Sequence, residues 1–224
     1  MKRLIAVSAV LAALGLMLSA PMATATPLTL TLNDGINTVT VVDGGAGDVN
    51  LTNGAVTWIG SLGSWSVNVS TGLGFPELGS LAWPKIDLNS VNVSNGAGGT
   101  LELMLSQGGF TSPPPPAFLL SIGGTTNGSV KAYACAGVTL GSCEDVELGP
   151  FSPTAFSASG AFSLVDPGEE YMVGIKVVLT HGAGQGVISS FDAELASVPE
   201  PGTYALIGLG LAALGFLRRT RSNS

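Results

Sequence analysis

The chain has 224 residues, a formal net charge of −7, and charged side chains at only 10% of its positions, where about 25% is usual in soluble domains. Hydrophobic residues make up 46% of the sequence, which excludes an intrinsically disordered chain. It contains neither a glycine at every third position nor an apolar heptad repeat, which excludes collagen and coiled-coil architectures. The length allows one or two domains.

Lysine and arginine lie mostly at the two ends of the chain. Residues 26–201 combine three lysines with all 15 acidic residues, for a net charge of −12. Such a surface repels phosphate backbones and offers no basic stripe that could release counterions. We therefore expect no nucleic-acid partner.

Residues 1–25 have the three parts of a secretory signal peptide. A basic start is followed by a short apolar stretch and then by Ala23 and Ala25, the small residues that signal peptidase requires. We expect the Sec translocon to export the chain and the mature protein to begin at Thr26. The alternative is a retained membrane anchor, which the shortness of the stretch and Pro21 disfavour.

The last part of the chain combines a Pro-Glu-Pro motif, an apolar run and a cluster of arginines. These are the motif at 198–202 (Val198, Pro199, Glu200, Pro201), the run at 203–217, and the basic tail at 218–224 (Arg218, Arg219, Arg221). In this order, behind a signal peptide, they resemble the PEP-CTERM sorting signal of Gram-negative bacteria. The resemblance implies that the protein is the substrate of an exosortase, a membrane-embedded cysteine transpeptidase, in bacteria that make exopolysaccharide.

By length, the apolar run is a marginal membrane anchor. The stretch from Tyr204 to Leu217 spans about 21 Å as a helix, short of the hydrocarbon core of about 30 Å. Snorkelling arginines extend that span, whereas a buried globular helix is the alternative by length alone. We expect a transient transmembrane helix in the inner membrane, with the domain in the periplasm, followed by transfer to the cell surface or the extracellular space.

Residues 26–197 are predicted to form a single all-β domain. Apolar and polar residues alternate with period two in five segments, as expected of half-buried strands. The segments are 28–32, 65–70, 101–105, 171–179 and 191–195. About ten short strands favour a β-sandwich with a jelly-roll-like winding, flanked by the signal-peptide helix and the transmembrane helix.

Irregular positions within the domain can also be predicted. The alternation changes phase near Asn89-Ser90, which indicates a β-bulge. Asn53-Gly54, Asn95-Gly96 and Asn127-Gly128 are typical of type I′ hairpin turns. The four prolines 113–116 cannot lie in a central strand and predict an exposed connector.

The domain has few residues suited to chemistry. Cys135 and Cys143 are the only cysteines, and an oxidising compartment favours a disulfide between them. His181, the only histidine, is not accompanied by a Gly-x-Ser-x-Gly elbow, and its glycine-rich surroundings predict an exposed turn residue. We expect no catalytic residue, no metal site and no cofactor.

Two features keep sugar-related functions open. The acids supply candidates for the carboxylate pair of a glycoside hydrolase, although the clusters at 144–147 and 166–170 are typical of exposed turns. Trp58 and Trp83 lie near turns where they can stack on sugars, whereas Trp65 is in phase with core residues. We expect a non-enzymatic secreted protein of the cell surface or extracellular matrix. An exopolysaccharide-binding module is the alternative, and an extracellular hydrolase the weaker third.

Overall fold

Nearly all of the chain between residues 29 and 198 is strand or short connection. The computed structural model describes residues 25–152, 154–184, 186–198 and 206–211. The strands are β1 (Thr29–Asn33), β2 (Thr38–Val42), β3 (Ala55–Leu62), β4 (Trp65–Leu73), β5 (Lys85–Asn95), β6 (Gly99–Phe110), β7 (Ala117–Thr126), β8 (Ser129–Gly137), β9 (Val146–Phe151), β10 (Thr154–Phe162), β11 (Tyr171–His181) and β12 (Ile188–Val198). All five alternating segments are strands, and the all-β prediction is confirmed.

The strands form two antiparallel sheets that pack face to face. Sheet A has the order β2-β1-β6-β11-β8-β9, and sheet B has the order β10-β7-β12-β5-β4-β3. Four nested pairs, β8 with β9, β7 with β10, β6 with β11 and β5 with β12, wind the chain as in a jelly roll. The hairpins β1–β2 and β3–β4 widen the two sheets on one side. The predicted sandwich is therefore confirmed.

The core fills the space between the sheets with every second residue of each strand. Leu30, Leu103 and Leu105 of sheet A and Ile86 and Leu195 of sheet B are at most 1% exposed. Burying each such side chain contributes about 2 kcal/mol. The period-two pattern thus gives both the strands and the inner faces of the sheets.

The predicted β-bulge lies in β5. The register between β5 and β12 shifts there, and Ser90 has a positive φ of 52°. The N–H of Ser90 donates to the carboxylate of Asp192 on β12. Leu88 and Val91, on either side of the bulge, are both fully buried. The extra residue therefore returns both halves of the strand to the core.

The prediction for the Asn-Gly pairs is wrong. Asn53-Gly54, Asn95-Gly96 and Asn127-Gly128 lie where the chain crosses from one sheet to the other, between β2 and β3, β5 and β6, and β7 and β8. Among the described non-glycine residues, only Ser90 and Cys143 have a positive φ, so no asparagine occupies a type I′ position. The tight hairpin joins β3 to β4 through Gly63-Ser64, where Gly63 has a φ of 56°.

At the crossing from β5 to β6, the side chain of Asn95 makes hydrogen bonds to the backbone of the connecting residues. The amide of Asn95 donates to the carbonyl of Gly98 at 3.0 Å and accepts from the N–H of Ala97 at 2.8 Å. It therefore pairs backbone groups that no strand satisfies.

The proline-rich segment is a connector, as predicted, but it is not wholly exposed. Residues 111–116 join β6 of sheet A to β7 of sheet B, and Pro115 is buried. The N–H of Thr111 donates to the carbonyl of Leu81 at 2.9 Å. Contact with the neighbouring loop therefore covers part of the connector.

His181 is buried, which corrects the prediction of an exposed turn residue. It ends β11, is 2% exposed, and its ring centroid lies 4.8 Å from that of Trp65. Its Nε2 lies 2.9 Å from the Oγ of Ser189, which lies 2.7 Å from the Oγ1 of Thr126. A Cβ at Gly128 would lie 2.6 Å from the ring, so that glycine leaves the space that His181 fills.

Cys135 and Cys143 form the predicted disulfide. The bond joins Cys135 on β8 to Cys143 in the connection before β9, and it closes a loop with a sequence separation of 8. A loop of this length corresponds to about 2.5 kcal/mol in the chain-entropy account. The N–H of Ala136 also donates to the carboxylate of Asp145 at 2.9 Å, which holds the same loop against β8.

The two terminal segments lie largely outside the described residues. The signal peptide with Ala23 is one of them, and so are most of the predicted transmembrane run and the basic tail. Residues 206–211 are helical and exposed. Within the described ranges, no helix combines the length and the apolar character that a membrane crossing needs. Both flanking helices stay predictions.

We predict that the sandwich loses stability as the pH falls below about 6.5. Burial lowers the pKa of His181, and its Nδ1 has no partner among the described residues, so the fold binds this proton less readily than the unfolded chain does. The free energy of unfolding therefore falls by at most about 1.4 kcal/mol per pH unit. His181→Asn, which cannot take up a proton, should remove that slope.

Urea unfolding of both proteins between about pH 7 and pH 5.5 measures the effect, a range above the ordinary carboxylate pKa values. The same slope in the variant would show that another group is responsible.

A candidate binding groove and the sorting segment

The outer face of sheet B contains a groove of about 710 Å³ that crosses four neighbouring strands. Because side chains alternate along a strand, the residues that line it lie between the core residues of β5, β12, β7 and β10. The polar lining consists of Asp87, Asn89, Asp192, Glu194, Ser121, Ser157 and Ser159. The volume is in the range of ordinary ligand sites, whereas the lining is far more polar than usual.

The strand register orders the lining in two rows across the sheet. One row contains Asp87, Glu194, Ser121 and Ser159, and the other contains Asp192, Gly123 and Ser157. The acids thus lie on β5 and β12, and the small residues lie on β7 and β10. Short side chains on two adjacent strands create the depression, which has an acidic side and a hydroxyl side.

The three acids of the groove differ in their surroundings. The Nζ of Lys85 lies 2.8 Å from the carboxylate of Glu194, and Asp192 accepts from the backbone N–H of Ser90. Burial, and then the negative charges of Glu194 and Asp192, raise the pKa of Asp87 above its ordinary value, and Asn89 and Lys85 offset this only in part. Asp87 is therefore the carboxylate that gains most from a donor or a cation in the groove.

No described residues form a group of three or more His, Cys, Asp and Glu that could hold a metal ion. No aromatic side chain is among the residues that line the groove. A ligand there would be held by hydrogen bonds from carboxylates, hydroxyls and the amide of Asn89.

The tryptophans that the sequence offers for sugar stacking lie elsewhere. Trp58 lies on β3 and packs partly against the core, and Trp83 is 43% exposed in the connection before β5. Trp65 is 2% exposed, as its phase predicts. The structure therefore separates the candidate aromatics from the groove.

The acidic residues after the disulfide are exposed, as predicted, although Glu147 lies on β9 and not in a turn. Glu144 pairs with Lys176 at 3.2 Å, and Glu147 pairs with Lys131 at 2.6 Å. With Lys85, these ion pairs engage every lysine among the described residues.

The sequence alone does not predict the grouping of Asp87, Asp192 and Glu194. Each acid alternates with buried neighbours, so an outward position on a strand could be inferred for each of them. About a hundred residues separate β5 from β12, and one sequence contains no signal that the two strands pair.

The sorting segment begins directly where a central strand ends. Val198 is the last residue of β12 and pairs with Ala117, and the N–H of Ser197 donates to the carbonyl of Pro84 at 3.0 Å. No linker separates this paired strand from Pro199. Pro199, Glu200, Pro201 and the three arginines lie outside the described residues.

A family model of the PEP-CTERM protein-sorting motif matches residues 197–221. The chain carries a PEP-CTERM sorting motif. The match includes Val198, the Pro-Glu-Pro motif, the apolar run and the arginine cluster, which confirms the resemblance seen in the sequence. A search of curated proteins found no match.

Solved structures resemble the sandwich only distantly. TmCBM61 in complex with beta-1,4-galactotriose is 15% identical over 61% of this chain and 88% of its own, with a TM-score of 0.31. A beta-glucosidase from Kluyveromyces marxianus in complex with glucose is 11% identical over 83% of this chain but only 17% of its own, with a TM-score of 0.35.

A cyclase from Fischerella sp. TAU is 12% identical over 64% of this chain and 88% of its own, with a TM-score of 0.34. At these scores, none of the three assigns a ligand or an activity to this chain.

We predict that Asp87→Asn stabilises the fold at neutral pH. The pKa of Asp87 is raised above the ordinary value of 3.8, so its ionised form costs stability, and this cost disappears as protonation proceeds through the folded pKa. Thermal unfolding should show a higher Tm for the variant at neutral pH and no difference well below pH 3.8.

Asp34→Asn is the matched control with the opposite sign. Hydrogen bonds from the backbone and side chain of Asn37 and from the N–H of Ile36 lower the pKa of Asp34, so its loss should destabilise at neutral pH. A lower Tm for both variants would contradict the electrostatic account of the groove.

Proposed function

We propose that this protein is a non-enzymatic component of the cell surface or extracellular matrix, delivered there by exosortase processing. The PEP-CTERM motif at residues 197–221 carries the proposal and makes the chain an exported exosortase substrate. In the proposed route, the chain crosses the inner membrane through the Sec translocon and signal peptidase removes residues 1–25. Residues 203–217 then hold it in the inner membrane until the enzyme acts at or near Pro199-Glu200-Pro201.

Two properties of the sandwich suit a protein that works outside the cytoplasm. The Cys135–Cys143 disulfide stabilises a loop in an oxidising compartment. The strong negative charge of the domain keeps copies apart and soluble.

The surroundings of the reactive groups favour a role without catalysis. Ser189 and His181 form a hydroxyl–imidazole pair, but they are 0% and 2% exposed and thus closed to any substrate. In the groove, Lys85 neutralises Glu194 and a backbone N–H holds Asp192.

A second candidate function, binding of exopolysaccharide, is favoured by the groove on sheet B. Its donors and acceptors repeat at the strand spacing of about 4.8 Å over four strands, which suits a hydroxyl-rich chain. The acidic side of the groove favours neutral or amino sugars over uronic acids and sulfated sugars, because anionic sugars would meet Asp87 and Asp192.

Replacement of Glu200 by alanine should stop processing while the domain stays folded. We expect the flanking prolines, which favour an extended chain, to keep Glu200 out of the following apolar run, and we expect its charge to resist burial in lipid. We expect the variant to accumulate in the inner membrane at its full C-terminal mass. Cell fractionation and intact mass measure this, with an exosortase-null strain beside it.

Glu170→Ala, which removes an exposed acid of the domain, is the matched control and should be processed like the parent. If Glu200→Ala is also processed and released, the motif is only a linker and the proposed route fails.

Filling the groove should abolish any glycan binding. A Cβ at Gly123 would lie 3.7 Å from the carbonyl oxygen of Phe156, an ordinary contact, so Gly123→Phe places a ring in the groove without straining the backbone. On a glycan array, we expect binding to fall about tenfold or more, which corresponds to about 1.4 kcal/mol.

Thr40→Phe adds the same ring at an exposed position of β2 on sheet A and should leave binding unchanged. Equal binding by Gly123→Phe and the parent would place the site elsewhere. Hydrolysis of a bound glycan that Asp87→Asn abolishes would show an enzyme and overturn the non-enzymatic proposal.

A further inference from the structure

Both predicted membrane segments leave the sandwich at the same end. Thr26, which follows the predicted signal peptide, pairs with the last part of β6 through its N–H and the carbonyl of Gly108 at 3.0 Å. β12 ends at Val198 beside Ala117, where β7 begins. Only the connector 111–116 separates the end of β6 from the start of β7. The two exits are therefore neighbours.

One loop contacts both exits. Residues 74–84, which we call the exit loop, connect β4 to β5. Buried Gln107 donates from its Nε2 to the carbonyls of Phe75 at 2.7 Å and Thr26 at 3.3 Å. At the other end of the loop, the carbonyl of Pro84 accepts from the N–H of Ser197. The exit loop is thus fixed next to the first residue of the mature domain and next to the sorting motif.

The exit loop is apolar in an otherwise acidic domain. Its sequence, GFPELGSLAWP, has one charged residue, Glu77. Phe75 packs against the core, whereas Trp83 is 43% exposed. Val165, 88% exposed, belongs to the adjacent 163–170 segment, which is joined to this end by a hydrogen bond from Ser163 to the carbonyl of Pro116. Tryptophan has the apolar body and polar N–H that suit a lipid–water interface.

Chain length brings this end close to the bilayer. Five residues lie between Val198 and Tyr204, where the apolar run begins. The six Cα–Cα steps from Val198 to Tyr204 span at most about 22 Å even when fully extended. This segment, which we call the tether, starts directly at the end of the paired strand β12. The sandwich therefore cannot lie further from the bilayer without losing part of β12.

We propose that the exit loop rests in the headgroup layer of the periplasmic leaflet while the chain is anchored, with Trp83 in contact with lipid. The proposal rests on the membrane-anchored stage of the proposed function. Covalent tethering supplies a high effective concentration at the surface, so a contact too weak to bind alone is populated.

The acids at this end limit the contact to the tethered stage. Glu77 lies in the exit loop, and Asp166, Glu169 and Glu170 lie in the adjacent segment, all of them exposed. Their charges oppose anionic headgroups, and the opposition is screened by salt. Once the tether is cut, the effective concentration is lost and the domain leaves the surface.

Fluorescence quenching by brominated lipid tests the contact. The full chain is reconstituted in phosphatidylcholine vesicles, with and without lipid brominated at a shallow position of the acyl chain. We expect bromine to quench part of the tryptophan emission. Trp83→Phe should lose this quenching, and the matched variant Trp58→Phe should keep it, because Trp58 lies on β3 opposite Val69 of β4 and is not part of the exit loop. Adding phosphatidylglycerol at low salt should weaken the quenching, and salt should restore it.

Flotation of the same samples separates this proposal from the one on which it rests. A chain that does not float with the vesicles overturns the anchored stage and the contact together. A chain that floats with unquenched Trp83 overturns the contact alone. Trp83 that becomes shielded only after exosortase is added to the vesicles likewise overturns it, because the loop would then contact the enzyme instead of lipid.

Discussion

β12 is hydrogen-bonded along both of its sides, to β7 and to β5, and the rest of the molecule is arranged around it. Its inward residues, Phe191, Ala193 and Leu195, belong to the core, and its outward residues, Asp192 and Glu194, belong to the groove. The strand begins beside the buried His181–Ser189–Thr126 network and ends at the sorting motif. A strand in this position cannot be released without opening sheet B.

This placement couples the fold to the sorting signal. An enzyme that works on an extended peptide finds residues up to Val198 already paired in a sheet. An exosortase therefore has access only to the motif and to the residues C-terminal to it. Residues before the motif become accessible only if the end of β12 frays. The groove and the exit loop have fixed positions relative to Val198, the last residue before the Pro-Glu-Pro motif. β12 and β5 contribute residues to the groove, and Pro84 of the exit loop contacts Ser197.

Local pattern predicts the parts of this fold that depend on neighbours in sequence. The alternation in β1, β4, β6, β11 and β12 indicates strands, and the phase change at Asn89-Ser90 indicates a bulge. Features that depend on distant partners are not predictable in this way. The burial of His181 requires Gly128 and Trp65 to meet it, and the groove requires β5 to pair with β12. The Asn-Gly pairs mark bends correctly, but local sequence cannot tell a hairpin from a crossing between sheets.

The positions of the lysines have a consequence for the resistance of the exported domain to proteases. Between residues 26 and 201 the chain has no arginine, and its lysines are Lys85, Lys131 and Lys176. All three lie within strands, on β5, β8 and β11. Trypsin-like proteases need an accessible, extended basic residue, and such cuts concentrate in exposed loops. The domain offers such proteases no basic residue in a loop, so cleavage has to wait for a sheet to open.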